Sequence, residues 1–257
     1  MTTRTRYDLT GRIVLVTGAS SGLGRHFVER FAASGATVIA AARRTDRLHD
    51  LAKSIRTAGG KIEPIAMDVE DETSIKATYD AAEQAFGTVD VVVANAGISP
   101  RGSALELEND ALAQLLRVNV QGVYLTAREA VRRLIAAGKA EDARIVLVAS
   151  IGALRPLAGL AAYSSSKAAV TMMGKGLARE WARYGVNVNT VCPGWIATEM
   201  NSDWFQTEGG QKLIKTFPRR RLMNIEDLAG IVLFLASDAA AAITGGVFAA
   251  DDGQSLA

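Results

Sequence analysis

The stretch from Arg144 to Gly174 carries a hydroxyl, a phenol and an ammonium at spacings that suit proton transfer: Ser150, Tyr163 and Lys167. Tyr163 and Lys167 stand i, i+4 in an Ala- and Ser-rich run that reads as a helix from about Ala161, so they share one face. A free phenol titrates at about 10, and an ammonium a few ångströms away favours the phenolate, which would bring Tyr163 towards proton exchange near neutral pH. Ile145 to Ala149 is apolar, rich in β-branched residues, and reads as a buried strand. Ser150 then falls at the carboxyl end of that strand, where open α/β sheets bind ligands, and could hydrogen-bond the reacting oxygen. Each residue alone has an ordinary reading: a tyrosine packing a helix start, a solvated lysine, a serine capping a strand. Because Y-x-x-x-K arises by chance in many helices, the rest of the chain has to carry the case.

The elements that would position these groups alternate. Ile13 to Val16 reads as a strand, and the sequence TGASSGLG from Thr17 to Gly24 leads into a helical pattern over His26 to Ser34. Strand, glycine turn and helix form a phosphate-binding arrangement: Gly18 permits the tight turn, Gly22 lets backbone approach a pyrophosphate, and Gly24 allows the helix to pack closely on the strand. The same letters satisfy G-x-S-x-G, the nucleophile elbow of serine hydrolases. That chemistry needs a histidine late in the chain, whereas the two histidines present are His26 and His49. A Walker loop is excluded because no lysine followed by Ser or Thr closes the turn.

Thr37 to Ala42 reads as the second strand and is followed by Arg43, Arg44 and Arg47. A site for NAD usually places an acid at this strand end to hydrogen-bond the ribose; here an arginine follows Ala42 and could pair with a 2′-phosphate. The alternative, arginines starting a solvated helix, suits Arg44 and Arg47 better than Arg43. Further strands are expected over Lys61 to Ala66, Val89 to Ala94, Val186 to Val191 and Val247 to Ala250. Helices are expected over about Asp71 to Phe86, Glu108 to Ala137 and Ile225 to Ala236. Asp68 could reach an adenine amino group or cap a helix, and Asn95-Ala96-Gly97 are small enough for a flat ring to lie close. Asn119, near the middle of a long helix, is expected either on the surface or in a local task.

Composition bounds the rest. The 257 residues, 49% of them apolar, suffice for one large core, and strand–helix alternation without repeats or linkers points to a single domain over 1–257. With 29 basic and 27 acidic residues spread along the chain, nothing asks for nucleic acid. The single cysteine, Cys192, fits a reducing compartment and is expected to be buried. The amino-terminal MTTRTRYDLTGR has no signal-peptide core and no apolar run is long enough to span a membrane, so a cytoplasmic protein is expected.

Over essentially its whole length the chain resembles the short-chain dehydrogenase/reductase family. The resemblance is carried, in the family's order, by Thr17-Gly18-x-x-x-Gly22-x-Gly24, Asp68, Asn95-Ala96-Gly97, Asn119, Ser150, Tyr163-x-x-x-Lys167, and Pro193-Gly194 with Thr198. It implies a Rossmann-like, doubly wound α/β fold with a seven-stranded parallel sheet, a catalytic tetrad of Asn119, Ser150, Tyr163 and Lys167, and a homotetramer. It also extends the cofactor site from the glycine loop, with Ser20, Ser21 and Leu23, to Val69 beside Asp68 and to Ile196 beside Pro193-Gly194. The reaction implied is reduction of a ketone by NADPH, with Lys167 lowering the tyrosine pKa and binding ribose, and Asn119 holding a proton-relaying water. An idle nucleotide sensor on the same fold would be expected to lack a tetrad member. Two departures are Ala94 ahead of Asn95-Ala96-Gly97, and Ala250-Asp251-Asp252-Gly253 in place of Val-Asp-Gly-Gly. If that turn needs φ > 0, Asp252 strains it modestly.

Substrate choice falls to a segment without a clean period, from Trp195 to Phe217, which reads as a flap over the ligand. Trp195, Met200, Trp204, Phe205 and Phe217 offer an apolar lining, opposed by Ala153, Leu154 and Leu157. Arg155, Lys212 and Lys215 are the cationic exceptions. A small or medium-sized, uncharged, cyclic or aryl carbonyl compound is therefore expected. Arg219, Arg220 and Arg221 permit a rival, a 3-oxoacyl group on an acidic carrier protein, although such a run is ordinarily a solvated face.

Overall fold

The computed structural model describes residues 7–100, 102–199 and 201–256; Met200 of the expected flap lies outside them, as does the start of the amino-terminal segment. Strand and helix alternate as β1 Ile13–Thr17, α1 Gly22–Ala33, β2 Thr37–Ala42, α2 Thr45–Thr57, β3 Lys61–Ala66, α3 Glu72–Phe86 and β4 Val91–Ala94. The chain continues through α4 Asn109–Leu116, α5 Val123–Ala136, β5 Arg144–Val148, α6 Ala161–Trp181 and β6 Asn187–Pro193. It ends with α7 Ser202–Gln206, α8 Glu208–Thr216, α9 Glu226–Ala236 and β7 Val247–Ala250. All seven strands pair in parallel in the order β3-β2-β1-β4-β5-β6-β7, giving the expected doubly wound, Rossmann-like sheet.

The central strands are continuous apolar runs because helices cover both faces of the sheet, leaving no solvated side to encode. Alternate residues serve opposite layers. Val14 and Val16 join Phe27, Phe31, Leu51 and Leu228 on the face covered by α1, α2 and α9, whereas Leu15 joins Ile75, Tyr79, Leu134 and Val170 on the face covered by α3, α5 and α6. The strand order reverses between β1 and β4. There the two carboxyl ends are tied together: Asn95 donates its backbone N–H to Thr17 Oγ1 (3.0 Å) and its side-chain amide to the Thr17 carbonyl (2.9 Å). Such a switch point opens a crevice for a ligand.

Two expectations are corrected. The helix read as continuous from Glu108 to Ala137 is α4 and α5 joined by a π-helical turn over Arg117–Gly122, which holds Asn119. Widening the helix there turns Asn119 inward, fully buried, and both sides of its amide bond the backbone of Ile98: Ile98 N–H donates to Oδ1 (2.8 Å) and Nδ2 donates to the Ile98 carbonyl (2.9 Å). The polar residue in mid-helix is thus satisfied by a loop distant in sequence, a known use of π turns. The flap is also more regular than its sequence pattern suggests, since Trp195 to Phe217 contains α7 and α8.

Candidate active site

A cleft of about 980 Å³ runs along the carboxyl ends of the strands, from the glycine loop past Ser150 and Tyr163 to the flap. At one end the backbone conforms to what an anion requires. Gly18 has φ +68°, and a Cβ there would meet Ala96 Cα at 3.0 Å. A Cβ on Gly24 would lie 2.3 Å from the Gly18 carbonyl, so α1 can approach the loop only with glycine there. Gly22, at φ +52°, has only Thr198 nearby, at 3.8 Å, which leaves the space above the loop open. Helix α1 begins at Gly22, Ser21 makes no side-chain cap bond to it, and its first turn holds no acid. The first turn of α1 therefore offers no carboxylate of its own to compete for its N–H groups, an electrostatic condition that favours phosphate.

The arginines divide differently from expectation. Arg44, read as the better candidate for a solvated helix start, lies over the glycine loop: its Nε donates to Ser20 Oγ (3.1 Å) and its Nη2 to Ser21 Oγ (2.6 Å). Arg43, also on the cleft, is mostly exposed and 3.8 Å from Glu70. Arg47 spans to Glu199 of the flap at 2.6 Å. No acid stands at the end of β2, where Ala42 is buried. Asp68 and Val69 line the cleft; Asp68 Oδ1 accepts the Glu70 N–H (3.0 Å) within the turn, whereas the cap of α3 is Asp71, which accepts the Thr73 N–H (2.8 Å). The alternative hydrolase geometry does not form. His26 is buried against Glu226, 3.7 Å away, and burial lowers its pKa.

At the reacting end, Ser150 follows β5 and its Oγ accepts the Gly152 N–H (3.1 Å). Tyr163 lies half-buried on the first turn of α6, near enough to Ser150 for that hydroxyl to favour its phenolate. Lys167, one turn on, is 4% exposed, and its Nζ donates to the Val148 carbonyl at 2.9 Å. Burial pushes its ammonium down to about 8 and pushes the Tyr163 phenol up, against the lowering effect of Ser150. This differs from the expectation that Lys167 depresses the tyrosine. Nζ sits 5.8 Å from the ring centroid, turned to a strand carbonyl, and desolvation is the largest influence on both groups. Asn119 completes the group by positioning it: Nδ2 donates to Ser166 Oγ (3.0 Å), which donates to the Tyr163 carbonyl (2.7 Å).

The flap supplies the remaining wall. Trp195 and Trp204 stack at 6.2 Å between centroids, and both line the cleft with Leu157, Leu213 and Phe217. Phe205 does not line it. The ring is 1% exposed and packs edge-on against Trp195 (5.6 Å) and Trp204 (5.2 Å), supporting the lining residues from behind. Ala153 packs into the core and Leu154 is exposed, so the opposing wall is Pro156, Leu157 and Leu160. Arg155 reaches the cleft, its guanidinium donating to the Gln254 carbonyl at 3.1 Å. Gln254 and Glu199 were not anticipated as lining residues, and nothing in their local sequence signals it. Pro193, Gly194 and Ile196 line the cleft, although the missing side chain of Gly194 faces the carboxyl-terminal turn: its Cβ would lie 2.6 Å from Gln254 Oε1. Asp252 does have φ +56°, and its carboxylate pairs with Arg219 and Arg221, each at 2.8 Å.

A family model described as short chain dehydrogenase matches residues 12–209. The chain belongs to the short-chain dehydrogenase/reductase family. It is 33% identical over 245 residues to a 3-oxoacyl-(acyl-carrier-protein) reductase of Thermotoga maritima, covering 95% of this chain and 98% of that protein. It is also 33% identical over 250 residues to a D-threitol dehydrogenase of Mycolicibacterium smegmatis, covering 97% and 95%. Among solved structures, it is similar to a gluconate 5-dehydrogenase of Burkholderia cenocepacia in complex with NADP and tartrate. The TM-score is 0.92, with 31% identity and 98% of each chain covered. The protein is thus an oxidoreductase of CH–OH and C=O groups that uses a nicotinamide cofactor. The uncapped α1 terminus and the side-chain-free space above Gly22 fit that cofactor. Among the described residues, no helix is long and apolar enough to cross a membrane.

Proposed function

We propose that this protein is an NADPH-dependent ketone reductase, reversible as a secondary-alcohol dehydrogenase. The observation that carries this reading is the meeting of Ser150 and the Tyr163 phenol with the buried Lys167 ammonium on the cleft that begins at the glycine loop. A nicotinamide cofactor, when bound, supplies the hydride. Ser150 and Tyr163 then hydrogen-bond the substrate oxygen, and Tyr163 releases its proton to that oxygen as the C=O bond becomes single. The Lys167 ammonium, held by the Val148 carbonyl, offsets the phenolate that remains and would hold the ribose. Both ends of the Asn119 amide bond neighbours, Ile98 and Ser166, so we assign it to positioning Tyr163.

Preference for NADPH is supported by Arg44 on the loop serines, by Arg43 beside it, and by the missing acid after β2. A 2′-phosphate would find two guanidinium groups there. The apolar wall of Trp195, Trp204, Phe217 and Leu157 supports an uncharged cyclic or aryl ketone, with Arg155 a cation at its margin. The rival substrate, a carrier-linked 3-oxoacyl group, draws support from the Thermotoga relative, but two of the three arginines that would meet the carrier are engaged by Asp252. A cytoplasmic homotetramer is the setting we propose. The test follows oxidation of NADPH and NADH with neutral cyclic ketones, 2-oxo acids and carrier-linked 3-oxoacyl thioesters. Turnover fastest with NADPH and a neutral ketone is expected. A bound cofactor never oxidised by any of them, or NADH used at least as well, would overturn the respective part.

A further inference from the structure

We propose that Gln254 is a positioning residue that sets where the flap stands over the substrate; the inference rests on the reading of Trp195 to Phe217 as the substrate wall. Gln254 follows β7 in the carboxyl-terminal turn, yet it is 1% exposed and reaches the cleft. Its Oε1 accepts the Trp195 N–H at 2.6 Å, the first residue of the flap. Its Nε2 donates to the Arg221 carbonyl at 3.4 Å, beyond the flap's far end. Its backbone carbonyl accepts from Arg155, on the opposite wall. One residue thereby joins both ends of the flap to the loop that follows Ser150.

The turn that carries it is well anchored. Asp251 Oδ1 accepts the Gly253 N–H (3.0 Å) and Oδ2 accepts the Ser255 N–H (2.8 Å), while Asp252 holds Arg219 and Arg221. Gly194 lets Trp195 approach this turn, since a Cβ there would fall 2.6 Å from Oε1 and 2.9 Å from Asp251 Cα. An amide suits the position because it accepts on one side and donates on the other. Without the acceptor, the Trp195 N–H is left unpaired in a part-buried site, and the stacked Trp195–Trp204 pair loses the anchor of its backbone.

The test compares full-length Q254M, which removes both functions at similar volume, with Q254E, which keeps the acceptor for Trp195. Q254M is expected to lower kcat/KM by about tenfold, mainly through KM, and to change the ratio between bulky and small ketones. Tryptophan quenching by acrylamide should increase, while affinity for 2′,5′-ADP, which reports the distant adenosine end, changes less than about twofold. Q254E should recover part of the loss, and more of it as the pH falls, because its carboxyl keeps the acceptor for Trp195 but can donate to the Arg221 carbonyl only when protonated. An unchanged ketone ratio and quenching in Q254M, failure of Q254E to rescue, or a loss that simply follows a lowered Tm overturns the proposal. Should Q254M not fold, Q254A carries the same expectation, and unfolding of both marks the residue as merely structural. If the parent reduces no ketone, the functional reading fails, and the quenching comparison still decides whether Gln254 sets the flap.

Discussion

The base of the cleft and the flap above it hold their side chains by different means. At the base, three side chains are fastened to backbone at or just beyond a strand end: Lys167 to Val148, Asn119 to Ile98, Asn95 to Thr17. These bonds are buried or nearly so, in a layer where an orphaned polar group is costly, and they tie the site to the most closely packed part of the molecule. In the flap, Trp195, Trp204 and Phe205 hold one another by ring contact, and the segment meets the rest of the molecule through a few polar contacts such as Trp195–Gln254 and Arg47–Glu199. On the proposed reading, the contrast separates chemistry, which tolerates little displacement, from recognition, which depends on contact area and can vary. Substitutions at the base should therefore act on turnover or on cofactor choice, and those in the flap on substrate affinity.

The largest effect is expected from Tyr163→Phe, which keeps the ring and removes the proton. Turnover should fall by at least about 10²-fold with NADPH affinity nearly unchanged, and near-normal turnover would remove Tyr163 from its role. Next comes the paired change Arg43→Ala with Arg44→Ala. Loss of charge-assisted contacts to a 2′-phosphate should reduce the preference for NADPH over NADH by about ten- to a hundredfold, measured as the ratio of kcat/KM values. If Arg43→Ala alone accounts for the whole change, the placement of Arg44 over the loop serines has no bearing on cofactor choice.

The pH profile distinguishes the two members of the Y-x-x-x-K pair. Burial holds Lys167 near 8, so it is charged below that pH and loses its proton above it, whereas burial raises Tyr163, which keeps its proton through the same range. For reduction, kcat/KM should be level below about 7.5 and fall by about tenfold per unit well above 8, reporting the free enzyme. A profile that stays level to pH 10 would separate Lys167 from the reaction. In the flap, Trp204→Ala should raise KM about fivefold with kcat little changed, as expected for loss of one aromatic contact. Indifference with every ketone tried would place the substrate elsewhere in the cleft. Smallest of all, Glu199→Gln should change cofactor affinity by less than about twofold, because the ion pair with Arg47 is solvent-exposed and screened.

Much of this molecule is legible in one dimension. Apolar runs in β1, β2, β4 and β5, alternating with helical periods, point to the parallel sheet, because strands covered on both faces need no polar alternation, whereas β3 (KIEPIA) and β6 (NVNTVCP) are less plainly marked. Glycine at 18, 22 and 24 is a local requirement of backbone conformation and close approach, so it can be read before the fold is known. The i, i+4 spacing of Tyr163 and Lys167 and the place of Ser150 after a strand are equally local. Tertiary structure decided what depends on partners distant in the chain. Asn119 became a buried bracket because Ile98 and Ser166 were brought to it and the helix widened by a π turn, which no helical period encodes. Arg44 rather than Arg43 covers the glycine loop because the turn after β2 aims its side chain at Ser20 and Ser21. Phe205 was withdrawn from the cleft and Gln254 inserted into it, since which face of a short helix or turn meets the cavity is settled only by packing. The direction of the Tyr163 shift reversed for the same reason: desolvation is a property of the assembled site, and the spacing of two residues contains no measure of it.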